Sequence, residues 1–227
     1  MTIDYRLSAK FVIIVAGGSG SRMKSDVPKQ FLPIGDKPIL QHTLERFLAY
    51  QEESHASLHI ILVLPARDID TWTALCEKHD FYPPIQTVTG GTTRFQSVRN
   101  GLQAIKTAEG LVAVHDGVRP FITTDLIERG FAIAAETGTA VAAVAAKDSV
   151  REVLPDGSSR ALDRNRLRLI QTPQTFRLDW MHHAFAQPEQ PHYTDCASVL
   201  EASGYPITLI EGSYENIKIT TPEDLKP

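Results

Sequence analysis

Phe11-Val12-Ile13-Ile14-Val15, followed at once by Ala16-Gly17-Gly18-Ser19-Gly20-Ser21-Arg22-Met23, decides the fold. The apolar run has no polar side to turn toward water, so it reads as a strand buried on both faces, as in a parallel sheet covered by helices. The glycines after it let backbone N–H groups approach a phosphate or a base with no Cβ in the way. Open α/β sheets place their ligands at this end of a parallel strand.

Outward from this stretch the same alternation repeats. Ile60 to Leu64, Leu111 to Val114 and Ala140 to Ala145 read as further buried strands. Between them, Ile39 to Ala49, Ile69 to His79, Phe95 to Ile105 and Asp125 to Glu136 carry amphipathic helical spacing. Strands alternating with helices give βαβ units and a mostly parallel sheet. Thr123 or Thr124 is placed to cap the fourth helix, with Asp125 favourable at its positive end.

After Ala146 the pattern changes. Ser149 to Val153 reads as a strand, Pro155-Asp156-Gly157-Ser158 as a turn, and Arg160 to Leu162 as an antiparallel return. A projecting hairpin and an ordinary surface hairpin both fit. The parallel pattern then resumes weakly, with helices at Leu178 to Ala186 and Ala197 to Ser203 and a late strand at Ile207 to Ile210. One domain covering residues 1–227 is the expectation for this length.

Lys and Arg total 23 against 27 for Asp and Glu, which leaves no basic footprint for a nucleic-acid backbone. The two cysteines, Cys76 and Cys196, form neither a disulfide framework nor a zinc site. Met1 to Lys10 lacks a signal-peptide core, and no later run has the length of a membrane span, so a cytoplasmic protein is expected.

The glycine loop is neither of two common phosphate loops. Met23 stands where the third glycine of a dinucleotide fingerprint belongs, and no Gly-Lys-Ser/Thr follows for a P-loop. The loop instead ends at Arg22, and Lys29 follows within Pro28-Lys29-Gln30-Phe31-Leu32. A triphosphate carries about four negative charges, and more develops on a leaving pyrophosphate, so a guanidinium and an ammonium suit phosphoryl chemistry there.

These residues resemble the sugar-phosphate nucleotidyltransferases. Thr89 to Val98, His115-Asp116-Gly117-Val118-Arg119-Pro120-Phe121, Asp163-Arg164-Asn165, Gln171-Thr172-Pro173-Gln174, Thr194-Asp195 and Asn216-Ile217-Lys218 follow in order. Together, from about Phe11 to Asp224, they are similar to the 2-C-methyl-D-erythritol 4-phosphate cytidylyltransferases. The resemblance implies a three-layer Rossmann-like α/β fold with a hairpin arm, within about 146–166, that reaches into the partner's active site in a homodimer. It implies transfer of CMP from CTP to the polyol phosphate, with release of pyrophosphate, in non-mevalonate isoprenoid biosynthesis.

The resemblance also implies roles. Arg22, Lys29 and Lys218 act on the phosphates. Ala16, Gly17, Gly18, Gly20, Gly91, Thr92 and Ser97 hold the nucleotide. Asp116, Arg119, Ser149, Arg164, Thr172 and Thr194 hold the methylerythritol phosphate. Mg²⁺ is implied with CTP, held mainly by triphosphate oxygens and water; Asp116 either stands near it or accepts a substrate hydroxyl, the second reading being preferred. His115 reads as a structural hydrogen-bonding residue, since catalysis needs reach to a transferred proton.

The match departs at four places. Gly117-Val118 replaces a usual Ala-Ala pair, Thr92 replaces a common aspartate, Ser149 a common threonine, and Cys196 a common acidic residue. Three rivals remain. A ribitol 5-phosphate cytidylyltransferase shares most of these motifs. A catalytically silent nucleotide-binding regulator is disfavoured by the presence of Arg22 and Lys29. A nicotinamide dehydrogenase is disfavoured by the incomplete glycine fingerprint.

Overall fold

The computed structural model describes residues 9–18 and 27–225. Two of the expected site residues, Gly20 and Arg22, lie outside the described residues.

In chain order the elements are β1 (Lys10–Val15), β2 (Pro33–Ile34), β3 (Lys37–Pro38), α1 (Ile39–Ser54), β4 (Leu58–Leu64), α2 (Ala66–Lys78), β5 (Ile85–Thr89) and α3 (Arg94–Ala104). There follow β6 (Leu111–Asp116), α4 (Thr124–Thr137), β7 (Thr139–Ala145), β8 (Val150–Val153), β9 (Ser159–Leu162), β10 (Arg168–Arg177), α5 (Leu178–Phe185), α6 (Cys196–Ala202) and β11 (Leu209–Glu211). Seven strands form the central sheet in the order β11-β7-β10-β6-β1-β4-β5. All neighbours pair in parallel except β10, which runs antiparallel to both β6 and β7.

The run Phe11 to Val15 behaves as its composition demands. Val12 and Ile14 pack on one face against Leu40, Leu44 and Phe47 of α1 and Phe131 of α4. Phe11, Ile13 and Val15 pack on the other against Val98 and Leu102 of α3 and Met181 of α5. This alternation makes three layers, and each fully buried Ile or Leu contributes about 1.5–3 kcal/mol. Ile13 is wholly buried, so Ile13→Ala would remove about 2–5 kcal/mol. Thr123 caps α4 by accepting from the Leu126 N–H, and Gly138, at φ 89°, ends that helix in the left-handed region.

The hairpin forms as expected. β8 and β9 pair only with each other, in a separate two-stranded sheet from Val150↔Leu162 to Val153↔Ser159. Its turn is held by Asp156, whose carboxylate accepts from the Ser158 N–H at 2.9 Å.

Besides the two-residue strands β2 and β3, two strands of the central sheet escape the sequence reading. β5 is short and mostly polar on its exposed positions. β10 is the larger correction: where the parallel pattern was expected to resume, a ten-residue strand inserts antiparallel between β6 and β7. Gln171, Thr172, Pro173 and Gln174 do not look like a central strand, because Pro lacks the N–H a ladder needs. The register shifts between Ile170 and Gln174, and the proline sits in that irregularity.

Candidate active site

The loops after β1 and β6, two adjacent parallel strands, meet above the carboxyl end of the sheet. They approach so closely that a Cβ on Gly117 would lie 2.7 Å from the Ala16 Cβ, so a larger residue there would have to move the two loops apart. Three cavities open at this edge. A central one of about 420 Å³ is lined by Ala16, Gly17, Lys29, Arg94, Asp116 and Lys218. A larger one of about 1260 Å³ runs past Gly17, Gly18 and the segment from Gly90 to Ser97. A third of about 540 Å³ is bordered by Arg119, Gln171, Thr172 and Thr194. Shared walls join them: Gly17 belongs to the first two, Asp116 and Lys218 to the first and third, and Arg94 to all three. Among the described residues, five cations (Lys29, Arg67, Arg94, Arg119 and Lys218) face these cavities against two carboxylates, Asp116 and Asp195. The site is built for an anion.

Asp116 is the electrostatic hub. Its Oδ2 lies 2.9 Å from Lys218 Nζ and 3.4 Å from Arg119 Nε, and its Oδ1 lies 3.8 Å from Arg94 Nε. Burial alone would raise its pKa, but the three cations outweigh burial and hold the carboxyl far below the usual carboxylate range. Arg119 is fixed further by donating from Nη1 to the Asn216 carbonyl at 2.8 Å.

Behind the hub runs a directed chain of hydrogen bonds. The Asp116 N–H donates to Thr172 Oγ1 at 3.0 Å. Thr172 Oγ1 lies 3.1 Å from His115 Nδ1, and His115 Nε2 lies 3.1 Å from the Arg119 carbonyl. A carbonyl only accepts, so Nε2 carries the proton and the Thr172 hydroxyl donates to Nδ1. His115 is fully buried, and burial pushes its pKa down to about 4, which keeps it neutral. It borders none of the three cavities and has the structural role expected. The Thr172 hydroxyl has spent its proton on His115, so toward a ligand it offers only a lone pair.

Along the largest of the three cavities, α3 starts at a capped turn. Thr93 Oγ1 accepts from the Gln96 N–H, and Ser97 Oγ accepts from the Gly91 N–H at 3.2 Å while donating to the Thr93 carbonyl at 2.9 Å. Ser97 therefore shapes the Gly90–Thr93 loop from behind. The Thr92 hydroxyl donates to Gln96 Oε1 at 2.8 Å, and Gln96 donates in turn to Glu189 at 3.0 Å. A Cβ on Gly91 would collide with Gln96.

Ala16, Gly17, Gly18, Lys29, Gly91, Thr92, Ser97, Asp116, Arg119, Thr172, Thr194 and Lys218 thus come together around joined cavities. Ser149 and Arg164 do not. Both are exposed at the hairpin base, where Arg164 Nη1 donates to the Lys147 carbonyl at 2.7 Å.

The sequence reading missed the supports. Gln174 bonds Asp195 and both the Cys196 and Ala197 N–H groups. Gln171 and Asn216 tie the bulge of β10 to the segment carrying Lys218. Arg94 falls within the Thr89 to Val98 stretch but has no role in the resemblance; an arginine three residues after a Gly-Gly pair, at the start of a helical pattern, is the signal that points to it. Among the described residues no group of three or more His, Cys, Asp or Glu could hold a metal ion, and both oxygens of Asp116 already face cations. A cation entering here would depend on oxygens brought by an anionic ligand.

The model of a family described as 2-C-methyl-D-erythritol 4-phosphate cytidylyltransferase (IspD) matches residues 10–227. A protein of that name from Bacteroides thetaiotaomicron is 50% identical over 215 residues, covering 95% of each chain. One from Porphyromonas gingivalis is 45% identical, covering 95% of this chain and 94% of its own. The crystal structure of the Anaerococcus prevotii 4-diphosphocytidyl-2C-methyl-D-erythritol synthase superposes with a TM-score of 0.79 at 29% identity, covering 96% of this chain and 95% of that one. The chain belongs to the 2-C-methyl-D-erythritol 4-phosphate cytidylyltransferase family.

Proposed function

We propose that the three joined cavities perform one reaction: CMP passes from CTP to 2-C-methyl-D-erythritol 4-phosphate, giving 4-diphosphocytidyl-2-C-methyl-D-erythritol and pyrophosphate in isoprenoid biosynthesis. Membership of the family supports the reaction. The observation that carries the site is the meeting of Arg94, Arg119 and Lys218 around Asp116 at the ends of β1 and β6, with Lys29 in the wall of the same cavity.

A phosphate-monoester oxygen of the acceptor attacks the α-phosphorus of CTP, and the bond from that phosphorus to the bridging oxygen of the β-phosphate breaks. The monoester is already mostly dianionic at pH 7, its second pKa being about 6, so no strong general base is required. The difficulty is to bring two polyanions together in line. Lys29, with Arg22, stabilises the charge that builds on the phosphates. Lys218, oriented by Asp116, also acts on the phosphates, and Asp116, Arg119, Thr172 and Thr194 hold the acceptor. Gly91, Thr92 and the loop braced by Ser97 hold the base, with Ala16, Gly17, Gly18 and Gly20 along the nucleotide. Mg²⁺ bound with CTP would be held mainly by triphosphate oxygens, and would neutralise charge on the triphosphate there.

Ser149 and Arg164 complete the site of a second copy. Their exposure at the hairpin base and the exposed apolar side chains of Val153, Leu169 and Ile170 beside it support a homodimer built through the arm. A cytoplasmic location suits a pathway whose substrates are phosphorylated. Among the described residues no helix is long and apolar enough to cross a membrane.

Pyrophosphate release, measured with each nucleoside triphosphate against methylerythritol 4-phosphate and ribitol 5-phosphate, tests this reading. Turnover of CTP with the methylerythritol ester is expected. Preference for ribitol phosphate would reassign the acceptor.

A further inference from the structure

Arg94 is the first residue of α3 and borders all three cavities. Its guanidinium is held on two sides. Nη1 donates to Cys196 Sγ at 3.2 Å, and Nε faces Asp116 Oδ1 at 3.8 Å. Neither contact satisfies it. A guanidinium has five N–H donors, and here one meets a soft sulfur acceptor while the ion pair is too long for a hydrogen bond. Burial keeps the Cys196 thiol protonated, so it brings no negative charge. Asp116 shares its single charge with Lys218 and Arg119. The Arg94 side chain is 28% exposed, and what is exposed borders the cavities. A mostly buried cation with open donors is costly unless a ligand completes it.

We propose that Arg94 is a phosphate-binding residue of this site, whose open guanidinium edge takes a phosphate oxygen of a substrate. Asp116 and Cys196 hold the side chain from behind and beside. The assignment rests on the transfer reaction above. A phosphate oxygen here has two sources, the triphosphate of CTP and the monoester of the acceptor, because Arg94 borders both the Gly90–Ser97 cavity and the Arg119–Thr194 cavity.

Arg94→Ala and Arg94→Lys are compared with the wild-type dimer in two assays. The first measures binding of CTP and of cytidine without acceptor. The second measures KM for methylerythritol 4-phosphate at saturating CTP. If Arg94 holds the triphosphate, Arg94→Ala weakens CTP at least tenfold and leaves cytidine unchanged, and that unchanged binding shows the fold intact. If it holds the acceptor, both nucleotide affinities stay and the acceptor KM rises at least tenfold. Arg94→Lys keeps the charge without the fork, so it shows a smaller loss in the same assay; it also carries the test should the alanine variant fail to fold. Unchanged CTP-to-cytidine selectivity together with an unchanged acceptor KM overturns the proposal and leaves Arg94 without a part in holding either substrate. A wild-type protein with no acceptor turnover counts against the transfer reaction, while the CTP-against-cytidine contrast still decides whether Arg94 meets the nucleotide's phosphates.

Discussion

The ammonium of Lys218 and the carboxylate of Asp116 lie 2.9 Å apart although 102 positions separate them in the chain. Lys218 follows the buried Asn216, whose carbonyl accepts from both Arg119 and Gln171. The late segment is thereby pinned across the end of β6, and a lysine from the far end of the sequence reaches the first strands' loops.

This pairing has a kinetic consequence. Asp116→Asn should raise the acceptor KM and lower kcat, because Lys218 and Arg119 lose the anion that orients them. Removing one partner of a buried pair costs about 3–5 kcal/mol in general. Lys218 is partly exposed, so a smaller penalty is expected here. Steady-state kinetics with both substrates varied would check it. An unchanged acceptor KM would detach Asp116 from acceptor binding.

Lys29→Ala and Arg22→Ala should each lower kcat far more than they weaken CTP binding, since their charges matter most in the transition state. A loss of about 3 kcal/mol, over a hundredfold, is the usual scale for one electrostatic stabiliser. Near-normal kcat in either variant would remove that residue from the catalytic set.

Stability should respond to His115. Its pKa falls from 6.5 unfolded to about 4 folded, so between these values the unfolded chain binds more protons. The neutral imidazole therefore carries no penalty above pH 6.5, and stability falls as pH drops from 6.5 toward 4. The loss is on the order of 3 kcal/mol at most. Denaturant midpoints across that window should slope less in His115→Gln than in the natural protein. Equal slopes would mean that His115 is not the group responsible.

The arm is tested by symmetry. Arg22→Ala and Arg164→Ala homodimers should each be nearly inactive. If each site takes Arg22 from one subunit and Arg164 from the other, unfolding, mixing and refolding the two variants gives heterodimers with one intact site. Random pairing makes about half the dimers mixed, so about a quarter of all sites should recover. No recovery, with subunit exchange shown by mass spectrometry of labelled chains, would place Arg164 in its own subunit's site or outside any site.

Residues whose local chemistry and tertiary role agree were legible in sequence. Phe11 to Val15 is apolar on both faces because both faces are buried, and Pro155 to Ser158 is a turn by its own composition. β10 was not legible, because its middle serves the site: Gln171, Thr172 and Gln174 bond Asn216, His115 and Asp195 rather than showing strand-like residues. Arg94 was hidden for a related reason. Its partners, Asp116 and Cys196, stand 22 and 102 positions away, and only the folded sheet brings them together.

The central claim is cytidylyl transfer to a phosphate oxygen, and ³¹P NMR of the enzyme with CTP, Mg²⁺ and methylerythritol 4-phosphate tests it most directly. The monoester and CTP signals should decline together as coupled diphosphate-diester resonances and free pyrophosphate appear, with UTP far slower. The inverted donor and acceptor pattern of uracil should cost about 1–3 kcal/mol per mismatched contact. Orthophosphate with CDP, or an unchanged monoester signal while CTP is consumed, would contradict the account.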